Sequence, residues 1–338
     1  MNILISVSLN KEIYINGLNQ NAILLAELYS KLNHKVCLLS DTASSSNKIF
    51  NLKVIQSSEI DLFNPDVIIQ CGFYLKNNLI FSLKKKNSKL KNIHVHYGNR
   101  MIADMEKIHT HHLMYPTKYV DQVWVSPHYK QSISYYKNIY KTKNIHIIPY
   151  IWSPKFLNTV SSNIESINIG ILEPNINFTK NCLIPILICE SLYKKNSSFS
   201  NSVKVYCSDY IKDKRFFRSW LSELDIYKSG KLQLEHRKPF NQICSKECNV
   251  VLSHQIFNEL NYLYLECFYL GIPLIHNSKT LKSSGFYYPN NNIEKGVTVL
   301  KKAIDQKLLN KKFDNKKILN NYSIENSRNI SLYAKLIS

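Results

Sequence analysis

Residues 258–278, NELNYLYLECFYLGIPLIHNS, carry two carboxylates, Glu259 and Glu266, in an otherwise apolar and aromatic run that stops at Gly271 and resumes as Ile-Pro-Leu-Ile. Together with the residues from Asn249 onward, the stretch reads as strand, polar loop, helix, glycine stop and strand. A helix opening near Asn261 puts Glu266 on its second turn. The first N–H groups of that helix lack partners within it and point where a diphosphate could sit. A carboxylate one and a half turns in can accept both hydroxyls of a ribose, while Asn258 or Glu259 reaches a hexose from the loop. The plainer reading makes Glu266 a partly exposed residue between aromatics.

Other residues could share that chemistry. Lys180, in GILEPNINFTKN after a strand, is placed to pair with a diphosphate near a helix start, or is simply an exposed lysine. HVHYGNRMIADMEKIHTHH gathers His94, His96, Asn99, Arg100, Asp104 and Glu106 past another strand. There Arg100 can hold an anionic group and His96 can act near a reacting bond. Gly17 allows a tight turn after the first strand, and Asn16 or Asn19 can cap the helix that follows. No G-x-G-x-x-G is present, which disfavours a dinucleotide site. His109, His111 and His112 suggest a metal but have no carboxylate at helical spacing, so no metal site is assigned.

Those residues need elements to hold them. Apolar runs at 2–7, 35–39, 52–55, 66–70, 92–97, 122–126 and 145–149 read as strands, with an amphipathic helix at 18–33. After a Pro- and Ser-bearing lapse at 149–166, strands are expected at 166–172, 203–207, 231–235, 249–253 and 273–277. Helices are expected at 178–194, 213–225, 239–247 and 261–270, with a last one near 323–337. Such alternation argues for α/β architecture with parallel sheets. The expected organisation is a first domain at 1–150, a linker at 151–165, a second domain at 166–322 and a C-terminal helix packing back on the first domain. Two doubly wound, Rossmann-like domains of similar size predict a ligand cleft at the carboxyl ends of their strands.

The 338 residues are 44% hydrophobic, which excludes disorder, and no apolar run approaches the roughly 18 residues of a membrane span. MNILISV lacks a basic leader and reads as a buried strand, so a cytoplasmic setting is expected. The eight cysteines fall mostly in apolar contexts without a C-x-x-C pair, as expected of small buried hydrophobes in a reducing compartment. The net charge of +20 suits a nucleic-acid or peripheral contact, but scattered lysines with abundant Asn, Ile and Tyr also fit an A/T-rich coding bias. Only eight glycines remain, about a third of average usage, so those at run edges, Gly17, Gly72, Gly98, Gly170 and Gly271, are expected where the backbone needs them.

The stretch 258–278 resembles the donor-binding motif of GT-B glycosyltransferases, retaining members with a family 4-like pattern included. In that motif a loop acid and a helix glutamate eight positions later flank a helix ending in Gly-x-Pro. Glu266 matches the second acid; Asn258 stands at the first, with Glu259 one residue late. Over nearly its full length the chain resembles the family called domain of unknown function 2827, through NGLNQN, HYGNRMIADME, EPNINFTKNCLIPILICE, VVLSHQIFNELNYLYLE, GIPLIHNS and GFYYPN.

The resemblance implies a GT-B-like enzyme that moves a sugar from a nucleotide-sugar donor, UDP- or GDP-linked, without a cofactor and with retained configuration. No D-x-D occurs, in keeping with metal-independent chemistry in which helix dipoles and basic side chains offset the diphosphate's charge. Glu266, Lys180, His254, Asn258, Glu259 and Asn261 are then expected around the donor, with Gly17 and Asn19 binding it from the other wall, which His96 also lines and where Asn99, Arg100 and Asp104 stand on the acceptor side. Lys180 and His96 are the expected catalytic groups. The acceptor is open among glycan, protein and DNA. A DNA-modifying transferase, a nucleic-acid-binding protein and a nucleotide-sugar epimerase are the alternatives.

Overall fold

The computed structural model describes residues 1–9, 17–41, 48–110, 117–157, 164–308 and 314–338. Two compact units divide the chain, one of Met1–Phe156 with Asn320–Ser338, the other of Leu157–Leu319. The first contains β1 (Asn2–Ser6), α1 (Gly17–Lys31), β2 (Lys35–Leu39), β3 (Lys48–Ile49), β4 (Leu52–Ile55), α2 (Ile60–Phe63) and β5 (Val67–Gln70). It continues with α3 (Asn77–Lys86), β6 (Lys91–His96), α4 (Arg100–Thr110), β7 (Gln122–Val125), α5 (Ile133–Tyr140) and β8 (Ile145–Ile147).

Its eight strands run in the order β3-β4-β2-β1-β5-β6-β7-β8, parallel except for the short edge strand β3. In β1, Ile3, Leu4 and Ile5 are all fully buried, because helices cover both faces of a parallel sheet and polar alternation has no place there. The chain winds outward from β1 through β2, then crosses to its other side at β5, so the switch point lies between β1 and β5.

Gly72, just past β5, has φ +82°, and a Cβ there would stand 2.1 Å from Leu18 Cδ2 on the first turn of α1. Gly72→Ala is expected to lower unfolding stability by about 2 kcal/mol, read from urea midpoints. An unchanged midpoint would count against this close approach. Gly98 differs: nothing lies within 4 Å of where its Cβ would be. The glycine expectation therefore does not extend to it.

The second unit opens with β9 (Asn168–Ile171), α6 (Leu183–Lys195), β10 (Ser202–Val205), α7 (Arg215–Ser222), α8 (Asp225–Lys228) and β11 (Leu232–Leu234). It goes on through α9 (Phe240–Lys246), β12 (Val250–Leu252), α10 (Tyr262–Leu270), β13 (Leu274–His276), β14 (Phe286–Tyr287) and α11 (Ile293–Leu308). The chain then passes through α12 (Lys316–Tyr322) into α13 (Ser327–Ile337). The sheet order is β11-β10-β9-β12-β13-β14, all parallel, with its switch point between β9 and β12.

The helix expected from 178 starts at Leu183. Residues before it are held in a loop, where Asn175 Oδ1 accepts the Cys182 N–H at 2.9 Å and the Asn175 N–H donates to the Lys180 carbonyl at 3.0 Å. Residues 151–156, expected in a linker, lie in the first unit, where Trp152 bridges to Ser323 and Phe156 is buried. Within that unit α13 is anchored by Tyr333, whose hydroxyl donates to the Pro149 carbonyl at 2.7 Å and whose ring meets Trp124 edge-on. No helix among the described residues is long and apolar enough to cross a membrane.

Candidate functional site

The second unit's switch point brings the loops after β9 and β12 together with the start of α10. Asn261 caps α10, its side chain accepting the Tyr264 N–H at 3.3 Å, and Gly271 ends the helix in the left-handed region at φ +67°. The Ile272 N–H reaches back to the Cys267 carbonyl at 2.9 Å, closing the carbonyls of the last turn. Helix α10 is apolar nearly all round and buries Tyr262, Tyr264, Leu265, Cys267 and Phe268, as a helix inside a core must.

Glu266 is buried with them, 8% exposed, and makes no hydrogen bond or ion pair among the described residues. Burial alone pushes its carboxyl up to about 8. A desolvated carboxylate without a partner destabilises the fold unless something else uses it. Glu259 stands differently. Its Oε2 accepts the Thr280 N–H at 3.1 Å and hydroxyl at 2.6 Å, and its carbonyl accepts the Ser278 hydroxyl at 2.6 Å. The two carboxylates are therefore unequal: one braces the loop after β13, the other has no protein partner among the described residues.

Glu173, fully buried two residues past β9, went unnoticed in the sequence reading. Its Oε1 accepts the Ser253 hydroxyl and, at 3.1 Å, the His254 N–H, while its Oε2 accepts from Gln255 Nε2 at 3.1 Å. Since the Ser253 proton is committed to Glu173, Tyr264 donates its own hydroxyl proton to Ser253 across 2.9 Å. Gln255 in turn accepts from Asn258 Nδ2. Burial raises the Glu173 carboxyl to about 7, against these hydrogen bonds and the nearby Lys180 charge.

Lys180 is half-buried, and its ammonium makes no ion pair among the described residues. Desolvation lowers its pKa; Glu173 opposes the shift and Arg237, exposed beyond β11, adds to it. His254 gives Nδ1 to a 2.9 Å contact with the Tyr288 hydroxyl, and burial lowers it to about 4, so the ring is neutral near pH 7. Its Nε2 is buried; Asn291, near enough to favour the charged ring, does not reach hydrogen-bond geometry. Phe257, at φ +54°, is 63% exposed, and Ile176 and Phe178 of the loop after β9 are also exposed. That loop is joined to the other by the Ile256 N–H donating to the Thr179 carbonyl at 2.8 Å.

The first unit carries a separate polar cluster at the carboxyl end of β6. The Tyr140 hydroxyl meets His94 Nδ1 at 3.0 Å, His96 Nε2 at 2.8 Å and Arg100 Nη1 at 2.8 Å. A hydroxyl has one proton and two lone pairs, so with Arg100 donating, one imidazole donates and the other accepts. Burial drives both rings far toward neutrality, His94 to about 3, with the Arg100 charge adding to it. His96, expected near a reacting bond, is thus a buried neutral ring committed through Nε2 to Tyr140. Arg100 is 2% exposed and pairs through Nε with Asp104 Oδ2 at 2.8 Å, which also accepts the Tyr135 hydroxyl at 2.8 Å. Asn99 caps the start of α4, its Oδ1 accepting the Ile102 N–H at 3.4 Å.

At the first turn of α1, Gly17 accepts at its carbonyl from Asn21 Nδ2 at 2.8 Å, and Asn19 is fully buried. Asn16, His111 and His112 lie outside the described residues, as does the side chain of His109. No group of three or more His, Cys, Asp or Glu placed to hold a metal occurs among the described residues. Tyr140, Ser253, Gln255 and Tyr264 were also missed by the sequence reading. An acid directly after a strand at the switch point was the available signal for Glu173; for Tyr140 there was none.

A family model described as protein of unknown function (DUF2827) matches residues 2–337. Among curated proteins none matches the chain in sequence. Among solved structures the chain is similar to WaaG, a glycosyltransferase involved in lipopolysaccharide biosynthesis, at 12% identity and TM-score 0.62, covering 99% of this chain and 98% of that one. It is similar to an alpha-glucosyltransferase in complex with UDP-glucose and DNA containing an abasic site, at 11% identity and TM-score 0.58, covering 99% and 94%. TarM of S. aureus, solved as a point variant with fondaparinux, alpha-GlcNAc-glycerol and UDP, is similar at 14% identity and TM-score 0.55, covering 83% of this chain. The chain spans 58% of the length of that protein. These likenesses show a GT-B fold.

Proposed function

The chain belongs to the DUF2827 family and has the GT-B fold, and from that premise we propose that it is a glycosyltransferase taking its sugar from a nucleotide-sugar donor. One observation carries the reading: Glu266, a buried carboxylate without a hydrogen bond or ion pair among the described residues, one turn into the helix that follows the switch-point strand β12. Ribose hydroxyls are the partners that would satisfy it, since each donates one proton and a carboxylate accepts at both oxygens.

In this reading Lys180 faces the diphosphate, and the N–H groups that open α10 add partial positive charge. His254 and Asn258 stand beside the hexose, with Glu259 bracing their loop and Asn261 holding the helix start. Asn99 and Asp104 belong to the acceptor-side surface, with Gly17 at the first turn of α1 and the fully buried Asn19 supporting the donor side from within. His96 acts through Tyr140 and Arg100 rather than on the reacting bond. Solved relatives of the fold bind UDP or UDP-glucose, which supports a uridine nucleotide as the first donor to try. We further propose retained configuration and metal-independent chemistry, in which cationic side chains offset the leaving group's charge.

The test begins with a thermal-shift screen of UDP-, GDP-, ADP- and dTDP-sugars, where a ligand at 100 times its Kd adds about 2.7 kcal/mol of stability. Calorimetry on Glu266→Ala should then show donor affinity reduced by tenfold or more, about 1.4 kcal/mol. Unchanged affinity in the folded variant would remove Glu266 from the site, and no shift with any donor would overturn the reading.

A further inference from the structure

With Glu173 ionised, hydrogen-bond direction runs outward from the carboxylate along one line of buried side chains at the second unit's switch point. Glu173 accepts at both oxygens, so the Gln255 nitrogen must face it, at 3.1 Å. The Gln255 oxygen then faces the other way and accepts from Asn258 Nδ2, which turns the Asn258 nitrogen toward Gln255 and its oxygen to the opposite side of the amide. Glu173 is 0% exposed, Gln255 6% and Asn258 5%.

The Gln255 backbone is clamped as well. Its N–H donates to Asn277 Oδ1 at 2.9 Å and its carbonyl accepts from Asn277 Nδ2 at 2.8 Å, so the side chain relays over a fixed main chain. An amide is nearly the same shape in its two orientations, and only its neighbours choose between them. Here the choice originates at the carboxylate and passes outward through two amides.

We propose that Glu173 is a positioning residue acting through Gln255 to orient the Asn258 amide, so that Asn258 presents an acceptor oxygen to a hydroxyl of the donor sugar. This rests on the donor reading above and adds to it a reason why an amide can serve where the related motif has an acid.

The test is a double-mutant cycle in the full chain, with UDP-glucose and UDP as probes, or the matching pair for whichever base the thermal-shift screen selects. In E173Q the amide oxygen must still accept from the Ser253 hydroxyl and the His254 N–H, so its nitrogen turns toward Gln255 and opposes the Gln255 nitrogen, and UDP-glucose affinity should fall about tenfold, the scale of one hydrogen bond. UDP affinity should not fall with it, because the sugar contact is the one disturbed and removing the Glu173 charge beside Lys180 takes nothing favourable from the diphosphate. In N258D the introduced carboxylate faces the Gln255 oxygen, and a similar loss is expected.

In the double variant E173Q/N258D the line runs in reverse. The introduced amide donates to Gln255 Oε1, and Gln255 Nε2 donates to the introduced carboxylate. UDP-glucose affinity should recover to within about threefold of wild type. Melting temperatures of the four proteins should show the same coupling without any ligand. Additive losses in either measurement, or equal loss of UDP and UDP-glucose in E173Q, would overturn the proposal. A wild-type chain that binds neither probe would instead overturn the donor reading, and with it the sugar contact given to Asn258; additivity in the melting temperatures alone isolates failure of the relay.

Discussion

Lys180→Ala is expected to reduce sugar transfer about 10²- to 10³-fold, equivalent to roughly 3–4 kcal/mol of transition-state stabilisation. The ammonium is half-buried and makes no ion pair among the described residues, so water screens it less than it screens an exposed lysine, even with Glu173 near. When a glycosidic bond to a diphosphate breaks, negative charge grows on the leaving oxygen, and a fixed cation there gains most at that moment. The loss should therefore fall mainly on kcat, with KM for the donor changing less. Arg237 gives the control. It is exposed, and Arg237→Ala should cost only a few-fold and should cost less still at high salt. Steady-state transfer assays on both variants decide the matter: turnover of Lys180→Ala within threefold of wild type, in a folded protein, would remove Lys180 from the reacting centre. Melting temperature should hold or rise, because the variant loses an ammonium that desolvation already disfavours.

Much of the architecture was legible because parallel strands announce themselves. KVCLL at 35–39 and LKVI at 52–55 are strands with the expected ends, and the boundaries of α10 follow from Asn261 and Gly271, whose side-chain and backbone chemistry is local. Elements held by distant packing were harder. Helix α11 buries Val297, Leu300, Ala303 and Ile304, a helical spacing that the surrounding lysines masked. The two-residue strands β3 and β14 are too short to leave a period. Among candidate site residues, Glu266 stood out because a carboxylate within apolar surroundings is visible in one dimension, and Lys180 because it stands near the start of an expected helix. The directed line from Glu173 through Gln255 to Asn258 was not visible, because it joins residues 82 apart, and its logic lies in which atom of each amide faces which neighbour. His96 misled for the converse reason: a histidine after a strand looks reactive until Tyr140, 44 residues on, takes up its Nε2.

Glu266→Gln should raise unfolding stability at alkaline pH while weakening donor binding, a separation that a structural carboxylate would not produce. Burial holds the folded-state carboxyl up at about 8, against an ordinary value of 4.5 in the unfolded chain. An acid with a raised folded pKa binds more protons when folded, so its contribution to stability is whole below about pH 4.5 and declines as pH rises toward 8. Wild type and Glu266→Gln should thus be nearly equal in stability at pH 4.5, diverge by about 1.4 kcal/mol per pH unit, and level off above pH 8 with the variant ahead by on the order of 5 kcal/mol. Glu173 titrates in an overlapping range, but it is present in both proteins and cancels in the difference. Chemical denaturation across pH 4.5 to 9 reads the divergence. Ribose hydroxyls donating to Glu266 would favour its ionised form, so donor binding near pH 7 should release a proton, detectable as a dependence of the binding enthalpy on the ionisation enthalpy of the buffer. In Glu266→Gln that dependence should diminish. A parallel pH profile for the two proteins would mean that the carboxylate has a partner in solution, and the argument for an unsatisfied ligand-binding group would fall with it.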